Sequence, residues 1–127
     1  DYGYHLGLAF QMVDDLLDYS ESTATIGKRV GADLKEGKLT LPVIYALQQA
    51  GTVEREKMEA IIEDEHFSVE AFERLKGMLR AYGGIAYTER LATEHITKAK
   101  SALNIFDASE PLDILMDIAD YAVSRKH

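Results

Sequence analysis

Phe10-Gln11-Met12-Val13-Asp14-Asp15-Leu16-Leu17-Asp18 places three carboxylates inside an apolar run. At about 100° per residue, Gln11, Asp14, Asp15 and Asp18 fall within an arc of roughly 100° on a helix. Leu8, Phe10, Met12, Val13, Leu16 and Leu17 cover most of the remaining circumference. A helix apolar nearly all round is expected to be buried, and buried carboxylates need partners such as cations, lysines or water. Two Gly-Lys pairs follow, Gly27-Lys28 and Gly37-Lys38-Leu39-Thr40. Acid and base at close quarters point to a divalent cation plus phosphate. Carboxylates alone repel a polyphosphate, a cation inverts that sign, and oxygen ligands suit Mg²⁺. The bland alternative is a short acidic motif on a solvated face.

The stretch from Tyr19 to Thr40 is rich in Ser, Thr, Gly and Lys and reads as a long loop. Gly27, Gly31 and Gly37 would let its backbone approach a ligand, and Lys28, Arg29, Lys35 and Lys38 would face phosphate as cations. Leu41-Pro42-Val43 restarts a helix, with Thr40 as its N-cap and Pro42 in the first turn.

Helical spacing runs through segments 2–19, 40–50, 54–64, 69–82, 84–107 and 111–125, so an all-α fold is expected. Gly51, Gly83-Gly84 and Pro111 punctuate them, and Ser68 and Ser109 are N-cap candidates. Ile85, Leu91, Ala92, Ile96, Ala99, Leu103 and Phe106 should face the core. His5, His66, His95 and His127 are scattered with no His-x₃-His pair, so no imidazole metal site is expected. Asp113, Asp117 and Asp120 read as an exposed acidic face, and Arg125 and Lys126 as a favourable helix end.

The net charge of −8 argues against nucleic acid. No stretch approaches the roughly 18 apolar residues of a membrane span. Zero cysteines rule out disulfides and thiolate sites and are compatible with a cytoplasmic setting.

Gly7 to Asp18 resembles the second aspartate-rich motif of the trans-polyprenyl diphosphate synthases. The segment Gly27-Lys28-Arg29-Val30-Gly31-Ala32-Asp33-Leu34-Lys35-Glu36-Gly37-Lys38-Leu39-Thr40-Leu41-Pro42 resembles the conserved stretch that follows it, in wording most similar to octaprenyl and heptaprenyl members. The ending Ile118 to Arg125 is similar to the family's C-terminal helix. The resemblance implies the C-terminal part of the isoprenoid synthase helical bundle over residues 1–127. It also implies Mg²⁺-dependent condensation of isopentenyl diphosphate with an allylic diphosphate, giving a long-chain all-trans product. Residue by residue, it implies metal binding at Asp14, Asp15 and Asp18 and diphosphate contacts from Lys28 and Lys38. Gln11 would hydrogen-bond near the allylic group and Phe10 would line the pocket or serve as a core aromatic.

The chain departs from the family pattern in lacking a first aspartate-rich motif, the upstream Lys-Thr pair, the isopentenyl-binding arginines and the chain-length residues. It opens at Asp1 with helical spacing almost from the first residue. These features set the expectation of a C-terminal piece of a longer synthase, inactive by itself and pairing as a homodimer or with an N-terminal portion. The alternatives are a terpene synthase, a regulatory subunit of a hetero-oligomeric synthase, or a plain helical assembly module. Retention of all three aspartates disfavours the regulatory subunit.

Overall fold

The computed structural model describes residues 1–19, 24–64 and 67–124. These hold seven helices and no strand: α1 Tyr2–Leu17, α2 Ala24–Lys35, α3 Leu41–Gln49, α4 Thr52–Glu63, α5 Val69–Ala81, α6 Gly84–Ala102 and α7 Glu110–Ser124. The all-α expectation is met. The chain forms two compact units, residues 1–16 with 88–127, and residues 17–87.

In the second unit, α2, α3 and α4 each pack on α5, and α2 also packs on α4. Phe72, Leu75 and Leu79 of α5 are fully buried, at spacing that puts them on one face, together with Met58, Val43 and Ala46. Each such large side chain contributes about 1.5–3 kcal/mol on burial. Ser68 caps α5: its Oγ accepts from the Ala71 N–H at 3.1 Å. Thr40 stands at the N-cap of α3 as expected, yet its side chain caps nothing. The N–H of Val43 donates instead to the Thr40 carbonyl oxygen at 3.1 Å.

The expected loop between Tyr19 and Thr40 is instead largely helix. Gly27, Val30, Gly31 and Leu34 of α2 are all buried, a stripe at 3–4 spacing. A Cβ on Gly31 would lie 2.8 Å from Phe67, and one on Gly27 would lie 3.6 Å from Phe72. Gly31 therefore makes room for the Phe67 ring, whereas a Cβ on Gly27 would meet Phe72 at ordinary contact distance. Gly37 alone has the turn conformation foreseen, with φ +80°. It ends α2 in a Schellman motif: Gly37 N–H donates to Leu34 O at 3.0 Å and Lys38 N–H to Asp33 O at 2.9 Å.

In the first unit, Ala9 of α1, Ile96 of α6 and Ala119 and Ala122 of α7 form a small core, with Tyr2, Leu6, Phe10 and Val123 packed against it. Tyr2 Oη donates to Leu115 O at 2.7 Å, and burial raises its pKa above the usual tyrosine value. Ser109 caps α7, accepting from the Leu112 N–H at 3.2 Å. Asp113, Asp117 and Asp120 are exposed as expected, and Asp120 accepts from Lys100 at 2.8 Å.

Two expectations about burial need correction. α1 is not buried all round: Ala9, Val13 and Leu16 are buried, whereas Tyr4 is 63% exposed. α6 ends at Ala102 rather than 107, in turns closed by Leu103 N–H to Lys100 O and Asn104 N–H to Ser101 O. Phe106 therefore lies outside the helical pattern and is 58% exposed, while Ala92, Ile96, Ala99 and Leu103 are buried. His66, Arg125, Lys126 and His127 lie outside the described residues.

Candidate diphosphate and metal site

The last two turns of α1 carry Gln11, Asp14 and Asp15. Asp14 is exposed and Asp15 half-buried. Gln11 Nε2 donates to Asp15 Oδ1 at 3.2 Å, the i,i+4 contact that helical spacing allows. Gln11 thereby orients a carboxylate in this state, a role the resemblance did not assign to it. Phe10 packs on the small core of the first unit, which is the core-aromatic reading.

Asp18 does not continue the helix. α1 stops at Leu17, and Tyr19 turns into the core of the second unit, 4% exposed with its ring centre 5.9 Å from that of Phe72. Asp18 takes Arg29 of α2 as its partner, receiving a hydrogen bond from Nη2. The sequence placed Asp18 on an arc with Asp14 and Asp15, but its carboxylate is engaged by a guanidinium. Among the described residues, no three His, Cys, Asp or Glu gather as a metal cluster.

Two carboxylates fit Mg²⁺ none the less. Mg²⁺ dehydrates reluctantly and is usually held by one or two carboxylates plus substrate phosphates and water, not by an all-protein cage. The adjacent pair Asp14-Asp15 offers that donor set. The chain has no cysteine to offer a softer one.

The basic residues sit on and just beyond α2. Lys28 and Lys35 flank a shallow cavity of about 220 Å³, completed by Gly31, Ala32 and Phe67. They stand seven residues apart, two turns along one helix face. By sequence Lys35 is one loop cation among several; the helix puts it on one face with Lys28. Lys38 follows directly from the Schellman turn, so backbone geometry places it. Its Nζ lies 3.1 Å from Glu36 Oε2 and 3.9 Å from Asp33 Oδ1. The hydrogen bond and charge of Glu36, then the charge of Asp33, raise its pKa above the ordinary lysine value. Lys38 is thus held as a cation beside two carboxylates.

Seven helices among the described residues, with paired aspartates in the last turn of the first and a Gly-Lys helix and turn next in sequence, define an all-α class of protein. The chain belongs to the polyprenyl synthetase family, whose model matches residues 1–79. It is 38% identical over 129 residues to a short chain isoprenyl diphosphate synthase of Methanothermobacter thermautotrophicus, covering 100% of this chain and 38% of that protein. It is 37% identical over 125 residues to the octaprenyl diphosphate synthase of Escherichia coli, covering 98% of this chain and 38% of that protein. The crystal structure of a polyprenyl synthase from Caulobacter crescentus, complexed with calcium and isoprenyl diphosphate, superposes with a TM-score of 0.82 at 40% identity. That match covers 100% of this chain and 39% of the other. The chain thus spans about 38% of the length of the curated relatives it matches. Among the described residues, no helix is long and apolar enough to cross a membrane.

Proposed function

We propose that this chain is the C-terminal helical portion of a trans-prenyltransferase condensing isopentenyl diphosphate with an allylic diphosphate to a long-chain, octaprenyl-type product. The observation carrying this reading is the Asp14-Asp15 pair ending α1, in a chain whose family match spans that helix and the Gly-Lys segment after it. Relatives named octaprenyl diphosphate synthase support the long-chain product.

Asp14 and Asp15 would hold Mg²⁺, with Asp18 available as a further ligand once released by Arg29. Mg²⁺ neutralises negative charge building on a diphosphate as it leaves. Lys28, Lys35 and Lys38 would bind and orient the allylic diphosphate as point charges. Gln11 keeps the Asp15 carboxylate aimed. The allylic C–O bond breaks, the isopentenyl double bond supplies the electrons of the new C–C bond, and a proton is then lost. A cytoplasmic homodimer is the assembly we propose for the whole enzyme.

Calorimetric titration with an unreactive allylic thio-diphosphate, with and without Mg²⁺, tests the site. Binding should require Mg²⁺, vanish in Asp14→Ala and Asp15→Ala, and weaken about tenfold in Lys28→Ala, the effect of losing one charge-assisted contact. Tight binding that ignores both Mg²⁺ and these substitutions would overturn the proposal.

A further inference from the structure

His5 of α1 and His95 of α6 are 90 residues apart in sequence, yet their Nδ1 atoms stand 2.9 Å apart. The ring centres are 5.1 Å apart and the planes are 26° from parallel. The centre-to-centre distance exceeds the nitrogen separation by about two ring radii, so the imidazoles meet edge-on, Nδ1 to Nδ1, in nearly one plane. One ring donates and the other accepts, which requires at least one neutral imidazole. Neither ring is fully buried, and the Tyr4 and His5 rings meet in a T-shaped pair.

We propose that His5 and His95 form a two-imidazole site for a borderline divalent cation of the Ni²⁺, Cu²⁺ and Zn²⁺ group. Two nitrogens bound at about 2.0–2.1 Å and at right angles around one cation stand about 2.9 Å apart, the separation already present here. That right-angled bite suits tetragonal or octahedral coordination, favouring Cu²⁺ and Ni²⁺ over tetrahedral Zn²⁺. In this state the lone pairs lie along the nitrogen–nitrogen line, so both side chains turn about both of their torsions to aim at a common point. The proton between the rings moves to Nε2 of the ring that held it, so both rings coordinate through Nδ1 and no net proton is released from a neutral pair. Burial, the facing His5 and the nearby Lys98 lower the His95 pKa, against an opposing effect of Glu94. Water completes the shell, since no third His, Asp or Glu joins the pair among the described residues. The cation replaces a shared proton by two bonds and staples α1, the helix carrying Asp14 and Asp15, to α6.

The site is independent of the diphosphate reading, and its test is separable from it. The purified protein is titrated with Ni²⁺ and with Cu²⁺ by calorimetry and melted with and without each ion, in wild type, His5→Gln, His95→Gln and Asp14→Asn. The expected result is one Ni²⁺ site whose affinity falls at least tenfold in each histidine variant and is retained in Asp14→Asn, with a raised Tm only when both histidines are present. Electron paramagnetic resonance of the Cu²⁺-loaded wild type should show two imidazole nitrogens, a reading that depends on no variant's folding. A single nitrogen in that spectrum, Ni²⁺ affinity unchanged without the histidines, or binding lost with Asp14 would overturn the proposal.

Discussion

Gly84 opens α6 close against the backbone of α3 and α5. A Cβ built there would overlap the Pro42 carbonyl oxygen and lie 3.1 Å from the Pro42 carbon and 3.3 Å from Leu79 O. These are main-chain atoms at the start of α3 and near the end of α5, so no side chain can swing away. Gly84→Ala must therefore move a helix. Overpacking of this kind costs about 1–3 kcal/mol, and three obstructing backbone atoms place it near the top of that range. The helical preference of Ala over Gly returns at most about 1 kcal/mol, leaving a net loss of about 2 kcal/mol. At roughly 4 °C per kcal/mol for a chain of this size, Tm should fall by about 8 °C. Gly77 supplies the matched comparison: it lies within α5, and a Cβ there meets nothing within 4 Å. Gly77→Ala should be neutral or raise Tm by a few degrees, about 0.5–1 kcal/mol of propensity. Circular dichroism melts of the two variants side by side decide the matter. A Gly84→Ala protein as stable as Gly77→Ala would refute the close approach of α6 to α3.

Other consequences follow from particular side chains. Ser68→Ala removes the hydroxyl that caps α5 and should cost about 1 kcal/mol, read as a drop in the urea midpoint; an unchanged midpoint would mean the cap is idle. His95 has a lowered pKa, so the unfolded chain takes up its proton first as pH falls. The contribution is complete above the ordinary imidazole value of about 6.5 and is lost as pH falls from there through the folded value. Urea unfolding at pH 7.5 and 5.5 should show that loss and show it shrinking in His95→Gln; equal pH dependence in both proteins would contradict it. Glu36→Gln removes the nearer of the carboxylates beside Lys38. It should tighten diphosphate binding by about twofold to threefold, the scale of an exposed pair, and weaker binding would show that Glu36 positions Lys38 instead of competing for it.

The helices were legible where apolar spacing and capping chemistry agreed. Ser68 and Ser109 announced α5 and α7, and the aspartates of α1 were visible as a helical stripe. α2 was missed because Gly27 and Gly31 are turn-formers by composition. The need for Gly31, which makes room for Phe67, depends on an aromatic far along the chain. The actual signal was the 3–4 spacing of Gly27, Val30, Gly31 and Leu34, in which glycine stands for an apolar residue. Asp18 illustrates a different limit: helical phase extends only as far as the helix, and burial of Tyr19 ends it one residue too soon. The meeting of His5 and His95 had no local signal, since only tertiary packing brings positions 90 apart together.

The most direct test of the account is condensation itself, in the polypeptide that carries this sequence. Incorporation of labelled isopentenyl diphosphate into polyprenyl product, with an allylic diphosphate and Mg²⁺, is compared between wild type and Asp14→Ala. Loss of a metal-holding carboxylate should lower the rate by about a hundredfold or more while leaving the melt unchanged. An undiminished rate in Asp14→Ala would contradict the central claim that the carboxylates ending α1 hold the catalytic cation.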